Sequence, residues 1–497
     1  MKIIIAGAGT AGWIAAYYIT KANPGEHSIT VIESSKIGII GAGEGSTGSM
    51  LDLLTGKFFP YSIDIDEFLQ KTDGTHKLGI YHQNWNGDGE GYFAPIDASP
   101  TWAEYDDYIF KYAYSTLGKD KMHVASPIGQ QYESKSPENF ALHFDGHKVG
   151  EYFKEKCLED GVEVIDAVIE DATVGKNGDI KSVKLDSGDE LTAEFFIDCT
   201  GFKRILMNKL NVDWVSYKDY LPVDSAMPFL VDYEEGEEIP LYTKATALSA
   251  GWMWTIPLQS RKGSGYVFDS TQITREQAQQ EVEEYLGKKI KPIKFINFDS
   301  GRNEVLWKNN VLSLGLSAAF VEPLEATSIH STITQLYFFN EFLTQKKSST
   351  VTSSNLESYN KKITRLYDLN FDFISYHYQC KRNDSDFWKN IKKNKCVTPN
   401  AKIYLDRSKH KIPSILETDG LYGSPTAALW NWISAGLGII TQEQANEELV
   451  RSHNYKKAEK EFINMLNDSK LAWQINPDTM DEDPSVINPT KDYITYL

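Results

Sequence analysis

Three glycines near the amino terminus have the spacing of a phosphate-binding turn. Gly7, Gly9 and Gly12 form a GxGxxG pattern. In such a turn the first glycine allows a tight bend, the second lets the backbone approach a pyrophosphate, and the third lets a helix pack against the preceding strand. The phosphates would then lie at the positive amino terminus of that helix. The pattern therefore predicts a dinucleotide site.

The elements around these glycines support that prediction. Lys2–Ala6 is a β-branched run typical of a buried strand, Trp13–Lys21 can continue as a helix, and Ser28–Ile32 is a second strand that ends at Glu33. An acid at this place accepts hydrogen bonds from an adenosine ribose, which favours FAD or NAD over NADP. The cofactor contacts predicted here are Gly7, Gly9, Thr10, Ala11, Gly12 and Glu33.

Later parts of the sequence favour FAD over NAD. Phe195–Cys199 is an apolar strand followed by Gly201, and Val311–Leu316 is another that runs into a glycine-containing segment. A late return of strand and glycine is typical of FAD-binding Rossmann variants. No second GxGxxG follows a strand, because Gly87–Gly91 lies in a polar loop. We therefore expect one dinucleotide site, and reduced flavin must come from another protein.

Composition and charge restrict the class of protein. The chain has 497 residues, of which 41% are hydrophobic and 24% charged, which is ordinary for a globular protein and excludes a disordered, collagen-like or coiled-coil chain. At roughly 150 residues per domain, this length corresponds to about three units. The formal net charge of −18 argues against nucleic acid or an anionic membrane as the main partner.

The amino terminus and the cysteines bear on location. Lys2 and the apolar residues up to Tyr18 could form a signal peptide, but the three glycines of the turn interrupt them. No run approaches the ~20 apolar residues of a membrane span. The four cysteines form no CxxC, and we assign neither them nor any of the ten histidines as metal ligands. We expect a soluble, cytoplasmic protein without disulfides or a metal site.

Three further stretches carry a family resemblance. Gly251–Pro257 reads GWMWTIP, Val321–Ile329 reads VEPLEATSI, and Thr75–Ile80 reads THKLGI. Together with the GxGxxG and the DCTGF of Asp198–Phe202, they resemble the flavin-dependent tryptophan halogenases. The resemblance runs, with gaps, from Met1 to about Trp388.

The resemblance implies a reaction and a fold. In this family, reduced FAD, oxygen and a halide (chloride, bromide or iodide) give hypohalous acid, which crosses a tunnel to an electron-rich aromatic substrate. The implied fold is α/β: an FAD-binding Rossmann-like module of the glutathione-reductase type, an interleaved substrate β-sheet, and a helical, mostly carboxy-terminal lid. We expect the FAD module in residues 1–350, sheet segments at about 60–140 and 205–300, and the helical substrate region in residues 351–497.

By this resemblance, Lys77 and Glu325 are the catalytic residues. Lys77 would donate a hydrogen bond to the hypohalous acid or, if burial lowers its pKa, react as an amine to give a haloamine. Alternation in Thr75–Tyr81 predicts a strand that carries Lys77 and Gly79 on one face. Glu325 would polarise the electrophile or take the ring proton. Only the fold could bring these two distant residues together.

The same resemblance assigns a partition and a halide site. Trp252, Trp254, Ile256 and Pro257 would separate flavin from substrate, although two such tryptophans could also be plain strand packing. Pro323 precedes a predicted helix whose free amino-terminal N–H groups suit an anion. Backbone amides of Thr327 and Ser328 would bind the halide, with a serine where the family frequently has glycine.

Further cofactor contacts are implied at Gly45, Val168, Leu316 and Ile329. Glu44-Gly45-Ser46 stands where the family usually has Glu-Ala-Thr, in a loop that links the flavin and halide sites. Val168 and Leu316 would touch FAD through the backbone, and Ile329 would lie beside the isoalloxazine. We interpret His330 as a core histidine rather than a ligand.

The sequence of the carboxy-terminal third gives little information about which arene is the substrate. Ser348–Asn355 is predicted as a surface loop, and the Tyr-Tyr pair and glutamate with which free-tryptophan members hold the amino acid are not found. Tyr422, Trp430 and Trp432 could line an aromatic pocket or pack as helix core. We therefore expect an indole- or phenol-type arene rather than free tryptophan, a separate flavin reductase that supplies diffusible FADH2, and a monomer or homodimer.

Three alternatives to a halogenase predict different outcomes in an assay. A flavin monooxygenase would insert oxygen into the arene without halide. A non-catalytic FAD-binding interaction protein would bind FAD without turnover. An NAD-dependent dehydrogenase would reduce NAD without oxygen, and the WxWxIP pattern of Trp252–Pro257 disfavours it.

Overall fold

The computed structural model describes most of the chain. The described residues are 1–37, 42–56, 62–96, 107–135, 140–344, 353–394, 396–414, 417, 421 and 423–468.

Short strands are distributed along the first two thirds of the chain. In chain order they are β1 Lys2–Ala6, β2 Ser28–Glu33, β3 Glu44–Gly45, β4 Thr75–Lys77, β5 Gly79–Gln83, β6 Gly91–Pro95, β7 Ala141–Phe144, β8 Glu163–Asp166, β9 Ile169–Val174, β10 Ile180–Leu185, β11 Glu190–Thr192, β12 Phe195–Asp198, β13 Trp214–Ser216, β14 Ser225–Val231, β15 Tyr242–Leu248, β16 Gly251–Pro257, β17 Lys262–Phe268, β18 Ile296–Asn297, β19 Gly301–Asn303, β20 Trp307–Lys308, β21 Val311–Ser313 and β22 Ala319–Phe320.

Helices separate these strands and then dominate the carboxy-terminal third. They are α1 Thr10–Ala22, α2 Gly48–Leu54, α3 Ile65–Lys71, α4 Tyr108–Leu117, α5 Pro127–Ser134, α6 Gly146–Glu159, α7 Ile205–Lys209, α8 Arg275–Leu286, α9 Thr327–Thr344, α10 Ser353–His377, α11 Asp386–Asn394, α12 Pro399–Ser408, α13 Ala427–Gly436, α14 Gln442–Arg451 and α15 Tyr455–Asp468. Within the described ranges, no helix has both the length and the apolar character needed to cross a membrane.

A six-stranded sheet carries the dinucleotide turn. Its order is β20-β21-β12-β1-β2-β8, and β1 pairs in parallel with both β12 and β2. The four strands predicted from apolar runs are therefore neighbours, since β21 also pairs in parallel with β12. The predicted strand Val311–Leu316 is shorter than expected, because a 3₁₀ helix begins at Gly315. The turn lies at the carboxyl end of β1, where parallel sheets bind nucleotides.

A seven-stranded sheet carries the GWMWTIP motif. Its order is β18-β14-β17-β16-β15-β5-β6, and its pairs are antiparallel except for β15 with β5. Strand β16 lies near the centre, with β15 on one side and β17 on the other. On β16, Trp252 packs into the main core, whereas Met253 packs with the cluster around Tyr266 and Phe268 on the opposite face.

A three-stranded sheet brings two distant segments together. Strands β3 and β4 both pair with β7, so that Gly45 and Thr75 lie on either side of His143. The single strand predicted over Thr75–Tyr81 is wrong, because it divides at Leu78 into β4 and β5. Leu78 donates its N–H to the Leu241 carbonyl, and its own carbonyl accepts from Ile96, where the chain passes from the small sheet to the large one.

The carboxy-terminal helices pack on this core. The buried end of α10 includes Phe373, Ile374, Tyr376 and His377, which join the main hydrophobic cluster or its edge. Of the loop predicted at Ser348–Asn355, the last three residues belong instead to α10, and the others lie outside the described residues. All four cysteines are free in the structure.

Candidate functional site

A cavity of about 750 Å³ includes both the dinucleotide turn and Lys77 in its lining. The lining gathers residues from the carboxyl ends of the parallel strands, from the GWMWTIP strand and from the start of α9. Of the predicted site residues it contains Gly7, Gly9, Thr10, Ala11, Gly12, Glu33, Gly45, Lys77, Val168, Trp254, Ile256, Leu316, Ser328 and Ile329. The cofactor residues predicted from the glycine pattern therefore share one cavity with the predicted catalytic lysine.

The turn has the shape that a pyrophosphate needs. Gly7 has a φ of 106°, and a Cβ there would lie 2.3 Å from the carbonyl oxygen of Cys199. Gly9 has nothing within 4 Å of where its Cβ would be, and it precedes α1 with a φ of −70°. The backbone at Gly9 is thus open to the cavity at a helix amino terminus, which fits a bound dinucleotide phosphate.

Acidic residues lie on both sides of the turn. Glu33 ends β2, lines the cavity and forms an ion pair with Lys154, which also lines it. Glu44 accepts a hydrogen bond from the Thr10 hydroxyl at 3.1 Å. Burial raises the pKa of Glu44 to about 7. Glu33 therefore borders the cavity where the ribose contact is predicted, while Glu44 joins the Gly45 loop to the start of α1.

Val168 is a residue predicted to touch FAD through its backbone. It lines the cavity, but its N–H donates to the Asp186 carboxylate at 3.0 Å and its carbonyl accepts from the Asp186 N–H at 2.9 Å. Both of its backbone polar groups are thus engaged within the protein. Leu316 and Ile329 also line the cavity.

Lys77 is buried at the end of β4. Only 1% of its surface is exposed, and its Nζ donates to the Ser46 carbonyl at 3.0 Å. Burial lowers the pKa of Lys77 to about 8, although the charge of Glu325 acts in the opposite direction. A surface lysine buries only its aliphatic stem and keeps its ammonium group in water. The charged atom of Lys77, in contrast, lies inside the protein, which lowers its pKa. The ammonium group therefore lies within the cavity wall and close enough to Glu325 to interact with it.

The loop of Gly45 lies directly against this lysine. A Cβ on Gly45 would lie 3.3 Å from the Lys77 Nζ and 3.5 Å from the Thr243 hydroxyl oxygen. His143, between β3 and β4, is held by the Thr75 and Thr243 hydroxyls at 3.0 and 2.9 Å. Pairing of both strands with β7 thus places the Gly45 loop against the amine of Lys77.

Glu325 ends a 3₁₀ helix, and Ala326 after it has a φ of 53°. This left-handed residue turns the chain so that α9 begins at Thr327. The Glu325 side chain is 14% exposed, and its Oε1 lies 2.8 Å from His377 Nε2 and 3.7 Å from His82 Nε2. The predicted helix start at Pro323 is therefore divided in two by a strained residue.

The two histidines beside Glu325 were not found by sequence reasoning. Their ligand atoms and that of Glu325 lie within 4.8 Å of one another, a grouping that could hold a metal ion, whereas the sequence predicted no such site. Burial holds the pKa of His82 well below its usual value. Because the three residues come from β5, the 3₁₀ helix and α10, no spacing in the sequence could reveal them.

Only one of the two predicted halide residues faces the cavity. Ser328 is exposed and lines it, whereas Thr327 is buried and is absent from its described lining. Both residues begin α9, where N–H groups lack partners within the helix. His330 contacts the Thr47 hydroxyl at 2.9 Å and the Gly423 carbonyl at 2.8 Å, so its polar atoms are satisfied as predicted for a core histidine.

The partition strand turns its two tryptophans to one face. Their rings lie 6.3 Å apart in an edge-on arrangement. Trp254 and Ile256 line the cavity, whereas Trp252 is 1% exposed and Pro257 accepts a hydrogen bond from the Thr75 hydroxyl. Trp254 forms the cavity wall itself, and Trp252 lies behind it.

Glu322 is a second acid that sequence reasoning missed. It is fully buried, and its Oε2 accepts from Trp252 Nε1 at 3.0 Å and from the Tyr378 hydroxyl at 2.6 Å. Burial raises the pKa of Glu322 to about 7. The first acid of VEPLEATSI thus fixes Trp252, while the second faces His377.

The carboxy-terminal aromatics act as core where they are described. Trp430 packs against Phe373, Tyr376 and Tyr404, and Trp432 packs against Phe110. Both tryptophans are buried on α13. Tyr422 lies outside the described residues.

Comparison with known proteins gives the family. The sequence matches the family described as Tryptophan halogenase over residues 2–452. This chain belongs to the tryptophan halogenase family. Tryptophan 6-halogenase SttH of Streptomyces toxytricini is 31% identical over 458 residues, which are 83% of this chain and 84% of SttH. Tryptophan 7-halogenase RebH of Lentzea aerocolonigenes is 30% identical over 419 residues, 78% of each chain.

Similarity extends to the three-dimensional structure. The crystal structure of SttH matches with a TM-score of 0.84 and 25% identity, covering 100% of this chain and 99% of that one. These matches confirm the predicted α/β fold with its helical carboxy-terminal region, and the assignment to the flavin-dependent halogenases. The family is one of enzymes that use FAD, so the monooxygenase, binding-protein and dehydrogenase alternatives are disfavoured.

Proposed function

We propose that this tryptophan halogenase family member uses FADH2, oxygen and a halide to halogenate an indole- or phenol-type arene. The observation that carries the proposal is the position of Lys77. Its buried ammonium lines the same cavity as the dinucleotide turn and interacts electrostatically with Glu325. Burial of a charged amine costs stability, and a lysine with a purely structural role would not need to be buried at this junction.

The residues of the turn fit the cofactor. Gly9 leaves space for the pyrophosphate, and Glu33 would accept hydrogen bonds from the ribose hydroxyls. The cavity wall formed by Trp254, Ile256 and Ile329 would contact the flavin ring system. When bound, reduced FAD supplies hypohalous acid from oxygen and halide. The dinucleotide is expected to arrive reduced, since the sequence contains one dinucleotide pattern only, and a separate flavin reductase is the proposed source.

Halide binding is assigned to the start of α9. The backbone N–H groups of Thr327 and Ser328 point from a helix amino terminus, and Ser328 reaches the cavity. The side chain of Thr327 is buried, so its contribution would come from the backbone alone.

We assign the two steps at the substrate, halogen transfer and proton removal, to Lys77 and Glu325. The Lys77 ammonium would donate a hydrogen bond to the hypohalous acid and so polarise the halogen toward the arene. Glu325 would then take the proton from the substituted ring carbon. Trp254, with Trp252 packed against it, would separate the arene from the flavin, which would favour halogenation over hydroxylation.

The substrate proposal follows from the helical region. Trp430 and Trp432 are buried and pack against other aromatic side chains, and Trp430 also lines a small second cavity between α10 and α12. Because the Tyr-Tyr pair and glutamate of the free-tryptophan members are not found in the sequence, we retain an indole- or phenol-type arene other than free tryptophan. Light scattering would distinguish the monomer from the homodimer.

A mass-spectrometric screen tests the function. The protein is mixed with FAD, NADH, a flavin reductase and oxygen, with chloride, bromide or iodide in turn, and with a panel of indoles and phenols that includes L-tryptophan. We expect halide-dependent replacement of one ring hydrogen by halogen. Oxygen insertion that does not require halide would instead show a monooxygenase.

A further inference from the structure

His377 is placed to fix Glu325 from behind. It is the last residue of α10 and is fully buried. Its Nδ1 lies 2.8 Å from the Phe373 carbonyl oxygen, and its Nε2 lies 2.8 Å from Glu325 Oε1. Both ring nitrogens are therefore at hydrogen-bond distance from an oxygen.

The two contacts determine the protons on the ring. A carbonyl oxygen only accepts, so Nδ1 must carry a hydrogen and donate it to Phe373. Two lone pairs 2.8 Å apart would repel, so a proton must also lie between Nε2 and Glu325 Oε1. For Glu325 to act as a base it must be ionised, which places that proton on Nε2 and makes the ring an imidazolium.

The neighbouring histidine does not share this role. His82 Nε2 is 3.7 Å from Glu325 Oε1, beyond hydrogen-bond distance, and neither of its ring nitrogens has a partner in the described structure. Its ring stacks on Tyr92 at 4.9 Å. The titratable groups around the pair are thus His82 on β5, Tyr92 on β6 and Lys77 on β4.

We propose that His377 is a positioning residue that holds the Glu325 carboxylate through an imidazolium hydrogen bond, so that its second oxygen is left to receive the ring proton. In that step the C–H bond of the halogenated ring carbon breaks, its electron pair restores the aromatic ring, and the proton goes to Glu325. Nothing else is oxidised or reduced. The inference rests on the proposed function, because it concerns the same proton transfer.

A proton explains the contact better than a metal ion does. The Glu325–His377 separation is that of a short hydrogen bond, whereas His82 stands farther away. Lys77 also places a positive charge close by, which disfavours a dication. Stoichiometric zinc, iron or nickel in the purified protein, lost in His377→Gln, would overturn the proposal in favour of a metal site.

Isotope effects test the positioning role during turnover. Indole and perdeuterated indole are compared with bromide and reduced FAD in the wild type, His377→Gln and His377→Phe, with His82→Phe as the matched control. Glutamine can still donate to Glu325 from the Nε2 position, whereas phenylalanine cannot. We expect a deuterium effect near 1 in the wild type, His82→Phe and His377→Gln, and above about 2 in His377→Phe, where proton loss becomes limiting.

Other outcomes of this comparison contradict the proposal. Equal loss of turnover in His377→Gln and His377→Phe with an unchanged isotope effect would show a purely structural histidine. Unchanged turnover in His377→Phe would show that Glu325 needs no partner.

A second measurement does not depend on turnover. Nitrogen-15 NMR of histidine-labelled protein, with His377→Gln used for assignment, reports the protonation of each ring nitrogen. We expect two protonated nitrogens at His377 in the wild type and only Nδ1 protonated in Glu325→Gln. A neutral His377 ring in the wild type would overturn this inference alone, whereas a wild type that halogenates no arene would overturn the proposed function.

Discussion

The two ends of the cavity are built by different means. At the flavin end, consecutive residues from Gly7 to Gly12 shape a backbone turn, and a missing side chain at Gly9 makes the space. At the proposed reactive end, Lys77 of β4 lines the cavity, and behind the described lining Glu325 of a 3₁₀ helix contacts His377 of α10. We expect the first end to bind the cofactor through its backbone and the second to act through buried charged groups.

This difference shows why the two ends respond differently to substitution. A phosphate site made of N–H groups depends on open space and on helix direction. A site of buried charges depends on partners that keep each group in the right protonation state. Substitutions at the flavin end should therefore change affinity, and substitutions at the reactive end should change the product formed per flavin oxidised.

The largest effect on cofactor binding is expected for Gly9→Val. The native φ of −70° suits any residue and nothing lies within 4 Å, so the variant should fold normally while its side chain fills the phosphate position. We expect FAD affinity to fall by roughly two orders of magnitude or more. Fluorescence titration measures it, with Gly48→Val as the control, since that site is also open but lies outside the described cavity lining. Equal affinities in the two variants would argue against a phosphate at Gly9.

A smaller but selective effect is expected for Glu325→Gln. The amide preserves the size of the side chain but cannot take a proton, so kcat for halogenation should fall by roughly two orders of magnitude. FAD affinity should remain that of the wild type, because Glu325 is absent from the described lining of the flavin cavity. An unchanged kcat in rapid-quench assays would remove Glu325 from the mechanism.

The pH profile distinguishes the two roles considered for Lys77. Burial lowers its pKa from 10.5 to about 8, so the ammonium predominates below pH 8 and the neutral amine above it. If the ammonium donates to hypohalous acid, halogenation per flavin oxidised should fall about tenfold per pH unit above roughly pH 8. We expect that fall, with FADH2 supplied chemically so that no reductase contributes. A yield that rises toward pH 8 and then levels off would indicate a haloamine instead.

The smallest effect is expected for Gly45→Ala. The added methyl group would lie 3.3 Å from the Lys77 Nζ, so the amine must shift by a few tenths of an ångström while Ser46 holds it. We expect roughly threefold slower halogenation with unchanged FAD affinity. A large loss of FAD affinity with normal halogenation by bound flavin would place Gly45 at the flavin end instead.

The sequence predicted the flavin end well because its signals are local. Lys2–Ala6, the glycine turn and the strand to Glu33 are continuous in the chain, and β1 begins and ends as predicted. At the reactive end, the family motifs identified Lys77 and Glu325. The sequence could not reveal His82, Glu322 or His377, because their roles arise only when β5, β16 and α10 pack together.

Predictions from local sequence periodicity were wrong where strain or sheet pairing determines the backbone conformation. The strand expected over Thr75–Tyr81 divides because Leu78 bonds to two other segments. The helix expected from Pro323 is interrupted by Ala326 in a left-handed conformation that nothing in an alanine predicts. These interruptions directly follow Lys77 and Glu325, so that the irregular backbone determines where these two side chains lie.

Replacing the lysine tests most directly whether oxidant made at one end is used at the other. Lys77→Ala is supplied with FADH2, oxygen, bromide and an arene that the wild type halogenates, and both flavin oxidation and brominated product are followed. We predict wild-type FAD affinity and flavin oxidation together with no detectable brominated arene. Full bromination by Lys77→Ala would contradict the account.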